Sequence, residues 1–549
     1  MNIKKKMKRY ITYIIMAAAA VVTTSSCTGL DVDVKSKYTS YPTESEVALE
    51  AKMADVYYAF RSALGGSYNR YQTFASDEAT GLSFDGDYYD GAENVNPTLH
   101  NFKAEDGPLN YWPDLASGIT KCNKAIAEFG DPADGLALTY IANARVMRAF
   151  YHFILMDSYG DVPILDKLYD EGDVIERMPR KEVAQFIEKE LLESIPNLSD
   201  KNDAATYGKP NRWMAEALLV KLYLNWAVYT CGDVTQYDPS TTANPKLNEC
   251  VKYCDDIINS QLFNLKDSYR SKFMYDNGAH IADFIYAMPY DCVSAQGLVY
   301  GRYRTFRKID DGEPIGYYGA AMKKSCAGIV AMNPEFAALF SLEGDDRNSA
   351  VLGGKVFVHD PLSGEETDEP YLYKGEQLEF TQEITLKAGG EEQLNAGADA
   401  NGWRQGWRSI KFYPNPYEYS AYSRNQSNDV PIFRYADILL TKAEAILRGA
   451  NATNGDTPES LFNQIRGYVH APLLDHTPSL QELLDERGRE LFDENWRRND
   501  MIRFGTFESE YGFHKKDFPN AQFDKRRRIF PVPQNVMNEN TNWQQNLGY

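Results

Sequence analysis

The residues best suited to contact a ligand are tyrosines gathered in two stretches. Residues 83–91 read SFDGDYYDG, and residues 290–319 contain YDCV, GLVYGRYR and GYYG. A tyrosine ring is apolar on its face and polar at its tip, so rings left outside a core stack on the C–H faces of sugars and hydrogen-bond their hydroxyls. The same rings also serve as ordinary packing residues. The chain holds 38 Tyr against 26 Phe and 7 Trp, which makes tyrosine the dominant candidate platform. Residues 403–407 (WRQGW) offer a second one, whereas Trp226 and Trp496 fall on helical spacing and are expected in the core. Asp85, Asp87 and Asp90 could supply oxygen ligands to calcium, although the spacing and terminal Glu of an EF-hand are missing, so a solvated polar loop is the alternative. The seven histidines make no metal spacing, and there is no nucleophile elbow, phosphate loop or dinucleotide fingerprint.

Composition narrows the remaining classes. The chain has 549 residues, 43% of them hydrophobic and 25% charged, as in ordinary globular proteins. At its start Lys4, Lys5, Lys6, Lys8 and Arg9 precede a mainly apolar run over residues 11–22 and then TTSSC, ending at Cys27. This is the layout of a secretory signal, too short to span a bilayer. A cysteine directly after small residues predicts cleavage before Cys27 and lipid attachment to it. Loss of those five bases takes the formal charge from −20 to −25, which opposes binding to nucleic-acid phosphates. Cys122, Cys231, Cys250, Cys254, Cys292 and Cys326 are scattered and read as small buried hydrophobes.

The elements that must position the tyrosines are mainly helices. Apolar spacing predicts helices over residues 138–159, 180–195, 211–229, 247–258 and 433–448, joined by short polar loops as antiparallel pairs. A further charged helix is expected over residues 486–505 (ERGRELFDENWRRNDMIRFG), with much of its charge in surface pairing. Arg145 and Arg148 lie off the apolar stripe of their helix. Between residues 276 and 428 helical periodicity fades, and residues 356–359, 371–373 and 378–386 read as short strands or extended loops.

Six blocks taken in order resemble the SusD/RagB family. They are the lipoprotein start, residues 144–163 (ARVMRAFYHFILMDSYGDVP), 180–191 (RKEVAQFIEKEL), 218–225 (LLVKLYLN), 429–445 (DVPIFRYADILLTKAEA), and the charged helix with the tail IFPVPQ and NWQQNLGY. The resemblance implies a mainly α fold: tetratricopeptide-like helical pairs beside an irregular, loop-rich ligand-binding region with short strands. It divides the chain into a signal peptide (1–26), an N-terminal helical region (27–275) and a C-terminal region (276–549), the last comprising a loop-rich part (276–428) and closing helices with the tail (429–549). It also implies a non-catalytic lipoprotein of the outer membrane, exposed on the cell surface and anchored through Cys27. Such a protein captures oligosaccharides and delivers them to a SusC-like, TonB-dependent transporter. Carried onto this sequence, the glycan-contacting residues would be Tyr88, Tyr89, Tyr300, Tyr303, Tyr317 and Tyr318, with Asp87 and Arg302 as polar partners. Tyrosines stand where the starch-binding members carry tryptophans, which points away from starch. A protein-only scaffold of helical pairs and a surface glycoside hydrolase are the alternatives. The hydrolase would need two carboxylates about 5 to 10 Å apart in a cleft.

Overall fold

The apolar spacing around residue 150 becomes the longest helix of the scaffold, and its neighbours pack on both sides of it. The computed structural model describes residues 41–298 and 330–549, apart from residues 133 and 374. Helices α1 (Trp112–Phe129), α2 (Leu136–Tyr159) and α3 (Arg180–Ser194) pack in succession, followed by α4 (Arg212–Leu224) against α5 (Leu247–Asn259). Close approach of α1 to α2 depends on Gly118, since a Cβ there would stand 2.6 Å from the Tyr151 ring. Gly160 ends α2 with φ 80°, and a Cβ at this position would also meet Ile529 at 2.8 Å.

Wedged between α1 and α3, α2 is buried on nearly every side from Ala142 onward. Arg148 is therefore inside: its Nε donates to Glu190 at 2.7 Å and its Nη1 to Asn123 at 2.7 Å. Arg145 reaches the other oxygen of Glu190 at 2.8 Å, so both arginines tie α2 to α3.

A buried two-stranded antiparallel ribbon, β1 (Phe284–Met288) with β2 (Val430–Arg434), runs through the middle. Both faces are covered, which explains runs of continuous apolar residues rather than alternation. Helical order after residue 428 thus begins two residues later than the spacing suggested: residues 430–434 are strand, and α6 spans Tyr435–Leu447. It packs on α5 and on α7 (Pro458–Tyr468) through Leu439, Leu440, Leu461, Phe462 and Ile465. Reciprocal side-chain caps start α7 at Thr457 and α8 (Leu480–Leu491) at Ser479. Residues 330–428 form short antiparallel pairs, among them Phe357–His359 with Glu366–Pro370 and Leu372–Tyr373 with Glu376–Gln377. The extended stretch expected over residues 378–386 is strand only at Glu379–Phe380.

The charged stretch 486–505 is not one helix. Helix α8 stops at Leu491, and α9 (Arg497–Phe504) starts after a break in which Asp493 and Asn495 adopt φ 60° and 70°. Asp and Asn tolerate this left-handed backbone better than other non-glycine residues. The break aims both helices' charges inward. Arg434 holds Asp283 (2.7 Å), Glu490 (2.8 Å) and Glu494 (2.8 Å), while Arg347 holds Asp345 (2.8 Å) and Glu486 (2.7 Å). Arg503 binds Glu444 and Asp500 at 2.7 Å each, and Arg487 binds Asp437 (2.9 Å) and Asp500 (2.8 Å). The expected surface pairing is in fact a buried network. Asp493 bonds Ser409 at 3.2 Å, and its i+4 neighbour Arg497 pairs with Asp77 at 2.7 Å. Trp226 and Trp496 are buried, the latter stacked on Phe433 with ring centroids 5.9 Å apart.

Candidate functional site

The first tyrosine loop is a tight hairpin followed by a strained segment. Phe84 and Asp87 exchange backbone hydrogen bonds of 2.9 and 3.1 Å around Asp85-Gly86, whose φ values of 51° and 93° suit an Asp-Gly turn. Positive φ continues at Tyr88 (64°), Asp90 (46°), Gly91 (66°) and Ala92 (75°). Such backbone costs about 1–3 kcal/mol per non-glycine residue and persists only where surrounding contacts hold it. Those contacts come from residues 387–403. Asp85 accepts from Lys387 Nζ at 2.8 Å, Asn395 Nδ2 at 3.1 Å and the Ala398 N–H at 3.1 Å. Ser83 exchanges backbone bonds with Leu394 and Ala396, and Phe84 stacks on Trp403 with centroids 4.0 Å apart.

This arrangement sorts the expected residues. Tyr88 is buried, Tyr89 is half-buried and Asp87 is exposed, so of the adjacent tyrosines Tyr89 is the ring with an open face. Trp403 supports the loop from beneath and is not a free platform; Trp407 is half-buried over Gly353. Trp112 is buried against Tyr159 and Trp543. Hydrogen bonds to Asp85, led by Lys387, hold its carboxyl down at about 2, and both of its oxygens are engaged in bracing the hairpin. Among the described residues no group of three or more His, Cys, Asp or Glu could hold a metal.

Tyr300, Arg302, Tyr303, Tyr317 and Tyr318 lie outside the described residues, as do Cys27 and Cys326. The described residues on either side of 299–329 are firmly placed. Gly297 abuts Gly65, where a Cβ would meet its carbonyl at 2.5 Å, and Ala331–Met332 pair with Ala79–Thr80 just before the hairpin. Tyr290 donates its hydroxyl to the Arg61 carbonyl at 2.6 Å. Its N–H meets Asp429, whose carboxyl burial pushes up to about 6. Spacing had no means of finding the partners Lys387, Asn395 and Trp403, which lie some three hundred residues from the hairpin; only its Asp-Gly turn was legible.

Three buried acids of α8 and the following break are committed to arginines. Glu486, Glu490 and Glu494 are buried and each is ion-paired to arginine, and the attraction of Arg347 keeps the Glu486 carboxyl below its ordinary value despite its burial. Cys122, Cys250, Cys254 and Cys292 are buried free thiols, and Cys231 is half-buried.

Comparison with known families settles the kinship of this scaffold. A family model described as the SusD family matches residues 315–549, and one described as starch-binding, associating with the outer membrane, matches residues 30–224. The chain belongs to the SusD/RagB family. Starch-binding protein SusD of Bacteroides thetaiotaomicron is 25% identical over 458 residues, which span 79% of this chain and 77% of that protein. A laminarin-binding SusD-like protein shares the fold with a TM-score of 0.67 at 20% identity, covering 92% of this chain and 99% of that one. Surface glycan-binding protein A from Bacteroides thetaiotaomicron, solved in complex with laminarihexaose, superposes with a TM-score of 0.64 at 18% identity over 91% and 99% of the two chains. The SusD-family assignment agrees with the mainly helical, loop-decorated architecture. No helix among the described residues is long and apolar enough to cross a membrane.

Proposed function

We propose that this chain is a cell-surface glycan-binding lipoprotein that captures oligosaccharides at the face carrying residues 84–90 and passes them to a SusC-like, TonB-dependent transporter. The observation that carries this reading is the match of SusD-family models to both the N-terminal and C-terminal parts of the chain. Support for the site comes from the hairpin: strained backbone, the partly open Tyr89 ring and the exposed Asp87 carboxylate are held on a rigid base by Phe84, Asp85 and Trp403. Tyr89 would stack on a sugar face and Asp87 accept its hydroxyls, with Tyr300, Tyr303, Tyr317, Tyr318 and Arg302 completing the surface. Anchorage in the outer membrane would come from a lipid on Cys27. Support for binding without hydrolysis comes from Glu486, Glu490 and Glu494, whose carboxylates are spent on arginines.

Affinity electrophoresis against a polysaccharide panel tests the reading. Tyr89→Ala should weaken binding of the retained glycan by roughly 1 to 3 kcal/mol. The double variant Tyr89→Ala, Tyr318→Ala should abolish retention while the fold survives. Unchanged retention of the double variant would remove the site assignment, and failure of the wild type to bind any glycan would remove the function. Reducing ends released by the wild type, and lost on a single Asp or Glu substitution, would favour a hydrolase instead.

A further inference from the structure

A cavity whose lining shares no residue with the tyrosine hairpin lies where the N-terminus of α3 meets residues 546–547. Its volume is about 370 Å³, and its wall includes Asp161, Arg180, Lys181, Asp233, Arg526 and Leu547. That volume is within the range of roughly 300–1,000 Å³ typical of small-molecule sites.

The buried arginine of this wall is Arg180. Arg148, Arg347, Arg434, Arg487, Arg497 and Arg503 are buried like it, and each reaches a carboxylate at 2.8 Å or less. Arg180 is 5% exposed and has no ion pair; its guanidinium donates one hydrogen bond, from Nη2 to the Val228 carbonyl at 2.9 Å. The acids that face it act from farther away and are engaged elsewhere. Asp161 accepts the Arg180 N–H at 2.9 Å, and Asp157 is held by Tyr229 at 2.8 Å and Asn499 at 2.7 Å. Burial accordingly pulls the guanidinium below its ordinary value, against the attraction of Cys231, Tyr229, Asp161 and Asp157, and Asp233 also feels the Arg180 charge. A buried guanidinium with no carboxylate at ion-pair distance is costly, and the positive end of α3 adds to the same field.

The rest of the wall says what kind of anion fits. Lys181 is exposed at the mouth, and Arg526 is already paired with Asp524. Asp161 and Asp233 bring two carboxylates to the wall, which would repel a doubly charged phosphate but can accept hydrogen bonds from hydroxyl groups. A ligand matching both features carries one planar, singly charged anion among several hydroxyls. An arginine fork complements a carboxylate in this way.

We propose that this cavity binds the carboxylate of an acidic sugar unit, with Arg180 as the partner of the anion and Asp161 and Asp233 accepting ring hydroxyls. Its lining shares no residue with the surface at residues 84–90. Titration calorimetry of the mature chain with glucuronate and galacturonate, their methyl esters and glucose tests it. The free acids should bind about tenfold more tightly than the esters or glucose. Arg180→Gln should abolish that preference. Because a buried arginine also supports the fold, Leu547→Trp, at an exposed position that narrows the cavity, and Lys181→Glu at its mouth serve as second variants, each expected to weaken uronate binding about tenfold. Retention of neutral glycans should be untouched by either, so loss of this site and loss of the hairpin site are read separately. The proposal is overturned if the wild type binds acid and ester alike or binds neither. It is equally overturned if sulfate or phosphate binds more tightly than uronate, or if both surface variants bind uronate as the wild type does.

Discussion

Glu78 is a carboxyl whose ionisation is at odds with its surroundings. It is buried beside Asp493 and Asp77, and burial with these two negative neighbours pushes its carboxyl up to about 8 against the attraction of Arg497. The unfolded carboxyl releases its proton near 4.5, so between that value and about 8 the folded state holds more protons than the unfolded one. The stability this group contributes is therefore complete below pH 4.5 and is lost as pH rises towards 8, a change on the order of a few kcal/mol. Glu78→Gln, which keeps a neutral acceptor for the Asp493 N–H, should flatten the fall in melting temperature between pH 5 and pH 9. Identical pH profiles for the variant and the wild type would show that Glu78 is not the group responsible.

At the scale of elements, the break between α8 and α9 does most to define the scaffold. A continuous helix would spread its acids and arginines around the axis and leave half of them in water. With the turn at residues 492–496, Asn495 instead accepts from Asn69 at 2.9 Å, Glu78 accepts the Asp493 N–H at 3.2 Å, and Trp496 donates to the Ile432 carbonyl at 3.0 Å. Asn495→Val puts a β-branched residue at φ 70° and removes the Asn69 bond. It should destabilise the fold by about 1–3 kcal/mol in chemical denaturation, and an unaltered midpoint would contradict the strained turn. Arg434→Met leaves Asp283, Glu490 and Glu494 without the cation they share. Removing one partner from a buried ionic cluster costs about 3–5 kcal/mol, so this variant should unfold at markedly lower denaturant. A loss below 1 kcal/mol would mean that Lys272 and Lys411, at 2.9 Å from Asp283 and 2.5 Å from Glu494, compensate.

For the whole molecule, the outstanding question is where it resides. The basic, apolar and small-residue start ending at Cys27 leads to the expectation that Cys27→Ala releases the protein from outer-membrane fractions of cells lacking the transporter. Persistence of the variant in those fractions would refute the lipid anchor. Several helices were legible in the sequence because apolar spacing is local: α2, α3 and α5 begin and end within two residues of where the pattern places them, whereas α1 and α7 were not read from spacing. The family was legible for a related reason, since its ordered blocks are those same packing faces together with the charged helix and the tail. Burial of the charges was not, because i, i+4 spacing looks the same on a solvated face as in a buried cluster, and only the break at Asp493 and Asn495 separates the two. Nor did the hairpin declare which tyrosine would be the more exposed, or that Lys387, Asn395 and Trp403 would brace its Asp85 and Phe84 through tertiary contacts that leave no periodic trace. Short-range periodicity thus determined several helices and the kinship, whereas the ion-pair network, the open ring of Tyr89 and the unpaired Arg180 arose from long-range packing, whose energy depends on neighbours distant in the chain.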